Sequence, residues 1–299
     1  MKKTVRVKNS FGDRIFLIIN YTFLIFITLV ILYPLIFVVS SSFSSPQAVT
    51  TGKVWLFPVE FSLIGYTTVF KNPSVLLGYW NSIKLTVLGT SVNVLLTVML
   101  AYPLSVKTFA GRKLFTGIIT FTMLFNGGLV PTFILINRLH LYNTVWALIL
   151  PSVVSIYNVI IARTYFQNSI PYDLYESATI DGCSDIRYIL SILLPLAKPI
   201  LAVLVMYYAV GHWNSYFSAL IYLKDKDKFP LQVILRSLII VPQEDQSSMV
   251  DVDKVLMRQG LNNLMKYSLI VVASLPMLVL YPFIQKHFVK GVMIGALKG

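Results

Sequence analysis

Long uncharged stretches alternate with short polar ones throughout this chain, and that alternation is its strongest signal. A helix crossing a bilayer core needs about 20 consecutive apolar residues, because in hydrocarbon every backbone N–H and C=O has to be satisfied within the segment. Six stretches meet this requirement, at residues 15–40, 85–106, 114–137, 141–162, 200–223 and 267–285. The pattern predicts an all-α polytopic membrane protein with about six transmembrane helices. Pro34, Pro103, Pro131, Pro151, Pro276 and Pro282 fall inside these stretches, where neighbouring groups re-satisfy the carbonyl that a proline frees. The first run carries no charge from residue 15 to 43. It is longer than the roughly 7–15-residue apolar core of a cleaved signal peptide and no small-x-small site follows it, so it is expected to stay as the first span.

Lysine and arginine in short loops set the orientation. Lys2, Lys3, Arg6, Lys8 and Arg14 precede the first span, Lys107, Arg112 and Lys113 follow the second, and Lys286, Lys290 and Lys298 follow the last. With six spans these segments and residues 163–199 share one side, expected to be the cytoplasm, with both termini inside. Outside lie residues 41–84, a short turn at 138–141, and the loop 224–266, whose seven basic residues are nearly cancelled by six acidic ones. Trp55, Phe57, Pro58 and Tyr66 make residues 44–80 an expected ordered cap or interfacial segment. In the loop 224–266, a strand-like apolar run at 231–241 precedes the acidic Glu244, Asp245, Asp251 and Asp253. No internal repeat or soluble catalytic domain is visible.

Composition narrows the function classes. The 299 residues are 56% hydrophobic and 12% charged, with mean hydropathy +0.74, against roughly 25% charged residues in soluble domains. A net charge of +13 does not indicate nucleic acid, because the cations are scattered between apolar runs and form no stripe. Cys183 stands alone, which excludes an intramolecular disulfide and a CxxC metal site. His140, His212 and His287 fall at different depths, so neither a triad nor a shared metal site is expected, and Asp251 and Asp253 lack calcium-loop spacing. There is no GxxxxGK[ST] loop, so ATP has to be handled by another polypeptide. No catalytic residue, metal or cofactor is expected, and the chain is read as a non-enzyme. Gly127-Gly128 is read as a bending or close-packing point in the third span.

One inward-facing loop has a more specific design. Residues 171–199 read PYDLYESATIDGCSDIRYILSILLPLAKP. Pro171 suits a first helical position, with Asp173 and Glu176 favoured by the macrodipole in the first turn, and Asp181-Gly182 punctuates the chain. Ser184 suits the N-cap of a second helix, whose Ile186, Ile189, Leu190, Leu193 and Leu194 fall on one face. Ser177 and Ala178 are small enough for a partner to approach closely. By pattern alone this is either an amphipathic helix returning the chain to the bilayer or a docking knob for a soluble partner.

The order Glu176-Ser177-Ala178, Asp181-Gly182 and Leu194-Pro195 resembles the EAA loop of bacterial ABC importer permeases, with Ser177 where many members have alanine. Tyr102-Pro103-Leu104-Ser105 before Gly111-Arg112, the run from Gly127-Gly128 to Pro131, His212-Trp213-Asn214, and the C-terminal Gly291-Val292-Met293-Ile294-Gly295-Ala296-Leu297-Lys298-Gly299 are similar to carbohydrate-importer permeases, on the side of the maltose G-type subunit. The resemblance implies the type I importer permease fold, with a transmembrane permease domain at residues 15–290 between cytoplasmic tails 1–14 and 291–299. It implies a coupling helix in which Tyr175, Glu176, Ser177, Ala178, Asp181 and Gly182 dock an ATPase. It further implies a second permease subunit, cytoplasmic ATP-binding subunits, an extracytoplasmic sugar-binding protein and alternating access in a bacterial cytoplasmic membrane, with an oligosaccharide as cargo. In resembling permeases the loop corresponding to 224–266 can reach the binding protein; here a passive cap is the other reading.

Polar side chains at membrane depth face a bundle interior or an aqueous path. His212, Trp213, Asn214 and Tyr216 are accordingly either helix-to-helix hydrogen-bonding groups or pathway lining, with Trp213 or Tyr216 stacking on a sugar; Tyr207, Tyr208 and Tyr222 are read as packing or interfacial residues. A non-sugar solute is the alternative within the importer class. An ion-coupled secondary transporter would need buried carboxylates near the midplane, and the six stretches contain none.

Overall fold

The computed structural model of the protein describes residues 10–239 and 252–296. The tail cations Lys2, Lys3, Arg6 and Lys8, the acidic Glu244, Asp245 and Asp251, and Leu297-Lys298-Gly299 lie outside the described residues, as do the side chains of Asp253, Lys286, His287 and Lys290. Among the described residues there is helix and no strand. The chain divides into two compact units, one of Met1–Lys71 with Pro242–Val272 and one of Asn72–Val241 with Ala273–Gly299.

In the first unit, α1 (Phe11–Ser42) leaves its apolar side chains from Phe16 to Leu35 outward and buries only Ser40, Ser41 and Ser42 at its end. That is the surface a lipid-facing span requires, since nothing inside the unit covers it. A serine network then orders the following segment. Ser40 Oγ donates to Leu56 O (2.6 Å), Ser44 Oγ donates to Ser40 O (2.7 Å) and accepts from Val59 N–H (3.0 Å), and the Ser42 and Tyr66 hydroxyls pair at 2.7 Å. Two short helices follow, α2 (Pro46–Thr50) and α3 (Ile64–Lys71), and Gly65 lets Ser268 of the last helix approach the α3 backbone.

The second unit begins with α4 (Pro73–Ser105), which starts well before the expected position 85 because Asn72 caps it, accepting from Ser74 N–H at 3.0 Å, and Pro73 occupies its first turn. α5 (Arg112–Leu124) and α6 (Leu129–Arg138) occupy the third predicted stretch but meet at 109°. The break is at Gly128, whose φ of +82° only glycine adopts without strain. Of the two readings of Gly127-Gly128, bending is the one realised. α7 (Trp146–Ile149), a 3-10 turn through Pro151, and α8 (Ile156–Ser169) form a second bent pair, at 56°. Next come α9 (Tyr172–Ile180), α10 (Asp185–Tyr188), a π turn (Ile189–Leu193), α11 (Leu194–Leu196) and α12 (Lys198–Trp213), the last meeting the segment before it at 84°. The expected single stretch 200–223 is thus interrupted at residues 214–216 before α13 (Phe217–Tyr222). α14 (Leu231–Ile239) and α15 (Val252–Ala296) complete the chain. Among the described residues three helices, α1, α4 and α15, are each long and apolar enough to cross a membrane, and up to six spans result if each bent pair counts as one.

The strand expected at 231–241 is a helix over its described residues, Leu231–Ile239. Leu231, Ile234 and Leu238 repeat at helical spacing, and no described strand offers an edge to pair with. A helix satisfies its own backbone, and the close approach of Leu231 and Ile234 to Gly78 on α4 completes the packing. Leu231 N–H donates to Ser82 Oγ at 2.8 Å.

Asn143, in the left-handed region at φ 62°, ties two loops together. Its Nδ2 donates to Asp225 Oδ2 (2.7 Å), its Oδ1 accepts from Lys224 and Asp225 N–H (3.0 and 3.2 Å), and its carbonyl accepts from Lys228 Nζ (3.0 Å). The Asn143 amide first, and then Lys228, hold the Asp225 carboxyl below its ordinary value. Its ionised form therefore stabilises the fold above the ordinary carboxylate value, and that contribution is lost as pH falls through the lowered value. Asn143→Ala, which also forces alanine into a left-handed backbone, is expected to lower the melting midpoint by roughly 3 °C at neutral pH and to reduce the acid-side loss expected of wild type, with Lys228 still holding part of it. Thermal melts across pH check this; an unchanged midpoint would show that the hub does not stabilise the loops.

Candidate functional site

α4 packs chiefly against α12 and α8, and the face it presents is polar. Ser82, Thr86, Thr90, Asn93 and Thr97 recur every three or four residues along it, and all but Thr86 are buried. Thr97 Oγ1 pairs with the Tyr208 hydroxyl of α12 at 2.7 Å, and that hydroxyl also accepts from Ser155 N–H at 3.1 Å. Asn93 Nδ2 donates to Ser152 O at 3.3 Å, while Thr86 Oγ1, Thr90 Oγ1, Asn93 Oδ1 and His212 Nε2 are buried without a hydrogen-bond partner. Unpaired groups at this depth are costly.

A cleft of about 560 Å³ opens beside this crossing, with Asn93, Asn158, Tyr207, Tyr208 and His212 in its wall and Asn214 and Tyr216 at the break after α12. His212 is buried, its imidazole against the Gly89 backbone. Trp213 does not line the cleft: it is 3% exposed, donates Nε1–H to Ala273 O at 3.0 Å and meets Tyr79 edge-on at 5.7 Å. Its neighbours on α12 point the other way because consecutive helical residues are about 100° apart. Tyr208, read from sequence as packing, holds the wall through its hydroxyl. Asn93 and Asn158 were missed, although each interrupts an apolar stretch and that depth was the available signal. The lining contains no Asp, Glu, Lys or Arg. It offers amide, hydroxyl and aromatic surface, suited to binding hydroxyl-rich molecules and supplying no nucleophile paired with a base. Among the described residues no metal-holding cluster exists.

The second place of interest is the 171–199 segment. Pro171 precedes the helix as its N-cap, at ψ 130°, so the first helical position is Tyr172. α9 turns Ala178 inward (8% exposed) and Glu176, Ser177 and Asp181 outward. Ile180, 86% exposed, projects with them, an apolar residue the sequence reading did not single out. Gly182, at φ +71°, closes the helix, and Cys183 N–H returns to Ala178 O at 2.8 Å. Ser184 caps α10, its Oγ accepting from Arg187 N–H at 3.4 Å. The apolar residues expected on one face from Ile186 to Leu194 do not share one environment. Ile186 and Leu190 are 71% and 61% exposed, and the buried residues are Tyr188, Leu193 and Ala197. A π turn over Ile189–Leu193 shifts the side chains that follow it relative to α-helical phase.

A tyrosine cluster anchors this segment. Tyr102 at the end of α4 donates to Asp185 Oδ1 at 2.8 Å, and its ring lies 6.1 Å from that of Tyr188, which meets Tyr175 of α9 edge-on at 5.4 Å. Arg163 Nε and Gln167 Nε2 of α8 both donate to Leu104 O (3.1 and 3.3 Å), satisfying a carbonyl at the α4 terminus. One helix, α4, thus touches both α9 through this cluster and the cleft through Asn93 and Thr97.

A family model described as "binding-protein-dependent transport system inner membrane component" matches residues 93–294. The chain is 40% identical over 290 residues to the polygalacturonan/rhamnogalacturonan transport system permease protein YtcP of Bacillus subtilis (strain 168), covering 96% of this chain and 99% of that one. It is 39% identical over 292 residues to protein LplC of the same organism, covering 97% of each. The fold matches a chain from the crystal structure of a bacterial ABC transporter involved in the import of the acidic polysaccharide alginate, with TM-score 0.85, 34% identity, and coverage of 94% of this chain and 99% of that chain.

Proposed function

The chain belongs to the binding-protein-dependent transport system inner membrane components, and from that membership we propose that it forms half of the translocation pathway of an ATP-driven importer for oligosaccharides or polysaccharide fragments. A second permease subunit completes the pathway, ATP-binding subunits dock on the cytoplasmic side, and an extracytoplasmic sugar-binding protein delivers cargo; both termini of this chain lie in the cytoplasm of a bacterial cell. The polysaccharide transport named for YtcP and for the alginate system supports the cargo class.

The single observation that carries the coupling role is the outward face of α9, with Glu176, Ser177, Ile180 and Asp181 exposed on a helix fixed from behind by Ala178 and Tyr175. Small, polar and apolar groups on a rigidly seated helix make a knob for a cleft in a soluble partner. Closure of the ATPase dimer moves that knob, and the cleft lined by His212, Asn214 and Tyr216 changes access. Such transmission requires ATP and binding protein each to favour one state over the other. The test is affinity purification from native membrane. Wild type is expected to bring down an ATPase, a second permease and a sugar-binding protein; Glu176→Lys is expected to insert normally and lose most of the ATPase. Full retention of a coupled ATPase in Glu176→Lys would refute the docking assignment.

A further inference from the structure

The cleft in the second unit has a neutral wall but a charged rim. α14 lies against α4, fixed by the Leu231 N–H to Ser82 Oγ bond and by the Gly78 contact, and this seating turns two of its residues, one helical turn apart, toward the cleft mouth. Gln232 Nε2 reaches Asn214 Oδ1 at 3.5 Å, and the Arg236 guanidinium carbon sits 4.7 Å from the centre of the Tyr216 ring. Asn214 and Tyr216 both line the cleft. Arg236 is exposed, and no carboxylate among the described residues pairs with it.

We propose that Arg236, held over Tyr216, is a specificity-determining residue that selects sugars carrying carboxylate groups. The inference rests on the oligosaccharide-import reading. A guanidinium presents a planar fork that matches a carboxylate with two parallel hydrogen bonds, which a lysine ammonium cannot reproduce. Stacking on Tyr216 fixes that fork in place before the ligand arrives. Inside the cleft, Tyr157 and Tyr207, 54% and 41% exposed and packed edge-on at 6.4 Å, present ring faces suited to the C–H face of a pyranose. The wall has no acidic side chain to repel an anion. Hydroxyl recognition therefore belongs to the wall and charge recognition to Arg236.

The assembled importer, reconstituted with its native partners in proteoliposomes, is given a labelled galacturonic-acid trisaccharide and, separately, the same trisaccharide with its carboxyls reduced to alcohols. Because every variant uses the same binding protein, its own preference cancels when ratios are compared. Wild type is expected to favour the acid. Arg236→Gln is expected to lower the acid-to-neutral uptake ratio about five-fold, a charge-assisted hydrogen bond discounted for exposure, with neutral uptake and ATPase activity kept, and Arg236→Lys to restore part of the ratio. An unchanged ratio in Arg236→Gln, or equal losses of both sugars, overturns the assignment and leaves the import reading standing. A wild type that favours the neutral trisaccharide overturns the inference alone; one that moves neither of them, nor any other oligosaccharide its binding protein captures, overturns the import reading, and the inference falls with it.

Discussion

Gly89→Val is expected to leave little folded transporter. A Cβ at position 89 would stand 2.5 Å from His212 Nε2 and 2.7 Å from two of its ring carbons. The obstacle is a whole ring, itself buried at 6% exposure between α12 and α4, so it cannot swing aside as a flexible tail would. Forcing extra carbons into a packed crossing costs on the order of 3 kcal/mol, a large part of a typical net stability of about 5–15 kcal/mol. Gly89→Ala is expected to cost less, because one methyl intrudes and alanine regains about 1 kcal/mol of helix propensity over glycine. Pairing Gly89→Ala with His212→Ala removes the obstructing ring, and the pair is expected to be more stable than Gly89→Ala alone. Detergent-solubilised yield and thermal midpoint measure all of these. If Gly89→Val purifies and melts like wild type, the helices are not as close at this crossing as the structure has them.

The second large effect concerns Tyr102. Tyr102→Leu removes the 2.8 Å bond to Asp185 and the ring packing on Tyr188, leaving the α9–α10 segment attached to α4 by weaker contacts. The proposed ATPase docking uses the outer face of α9, which this change does not touch. Transport per ATP is therefore expected to fall on the order of ten-fold, equivalent to about 1.4 kcal/mol of coupling, while the ATPase still co-purifies. Tyr102→Phe keeps the ring and loses only the hydroxyl, so it is expected to fall between. A merely structural role would lower protein yield and leave the transport-to-hydrolysis ratio of the surviving complex at the wild-type value, and that outcome would remove α4 as the element linking α9 to the cleft.

Asn93, Thr90, Thr86 and His212 join these two results. Four buried polar atoms without partners sit where α4 meets α12, on the helix that Tyr102 ties to α9. A crossing that moves during transport cannot be both tightly satisfied in one arrangement and free to reach another. Unsatisfied groups in a native fold call for a cause, and a crossing that changes arrangement is the one consistent with the proposed alternating access.

Much of the molecule was legible in the linear pattern, for a specific reason. In hydrocarbon the backbone must bond within its own segment, so apolar run length reports a local necessity, and the lipid-facing α1 and the long α4 and α15 follow from it. The 171–199 segment was readable as helix, turn and capped helix because proline, Asp181-Gly182 and Ser184 act on their own neighbours. Only the tertiary structure decided where those rules stop. Gly127-Gly128 and the polar His212-Trp213-Asn214 mark both places in the sequence, but the 109° angle at Gly128 and the interruption after Trp213 depend on which helices pack beside them, which composition does not record. The helix at Leu231–Ile239 replaced an expected strand because its partner is α4 at Gly78, some 150 residues earlier in sequence. Trp213 left the cleft and Asn93, Asn158 and Tyr208 entered it because facing is set by which helices cross. Sequence determined what each segment had to be in lipid; long-range packing determined which way each side chain points, since periodicity records a face but not what lies opposite it.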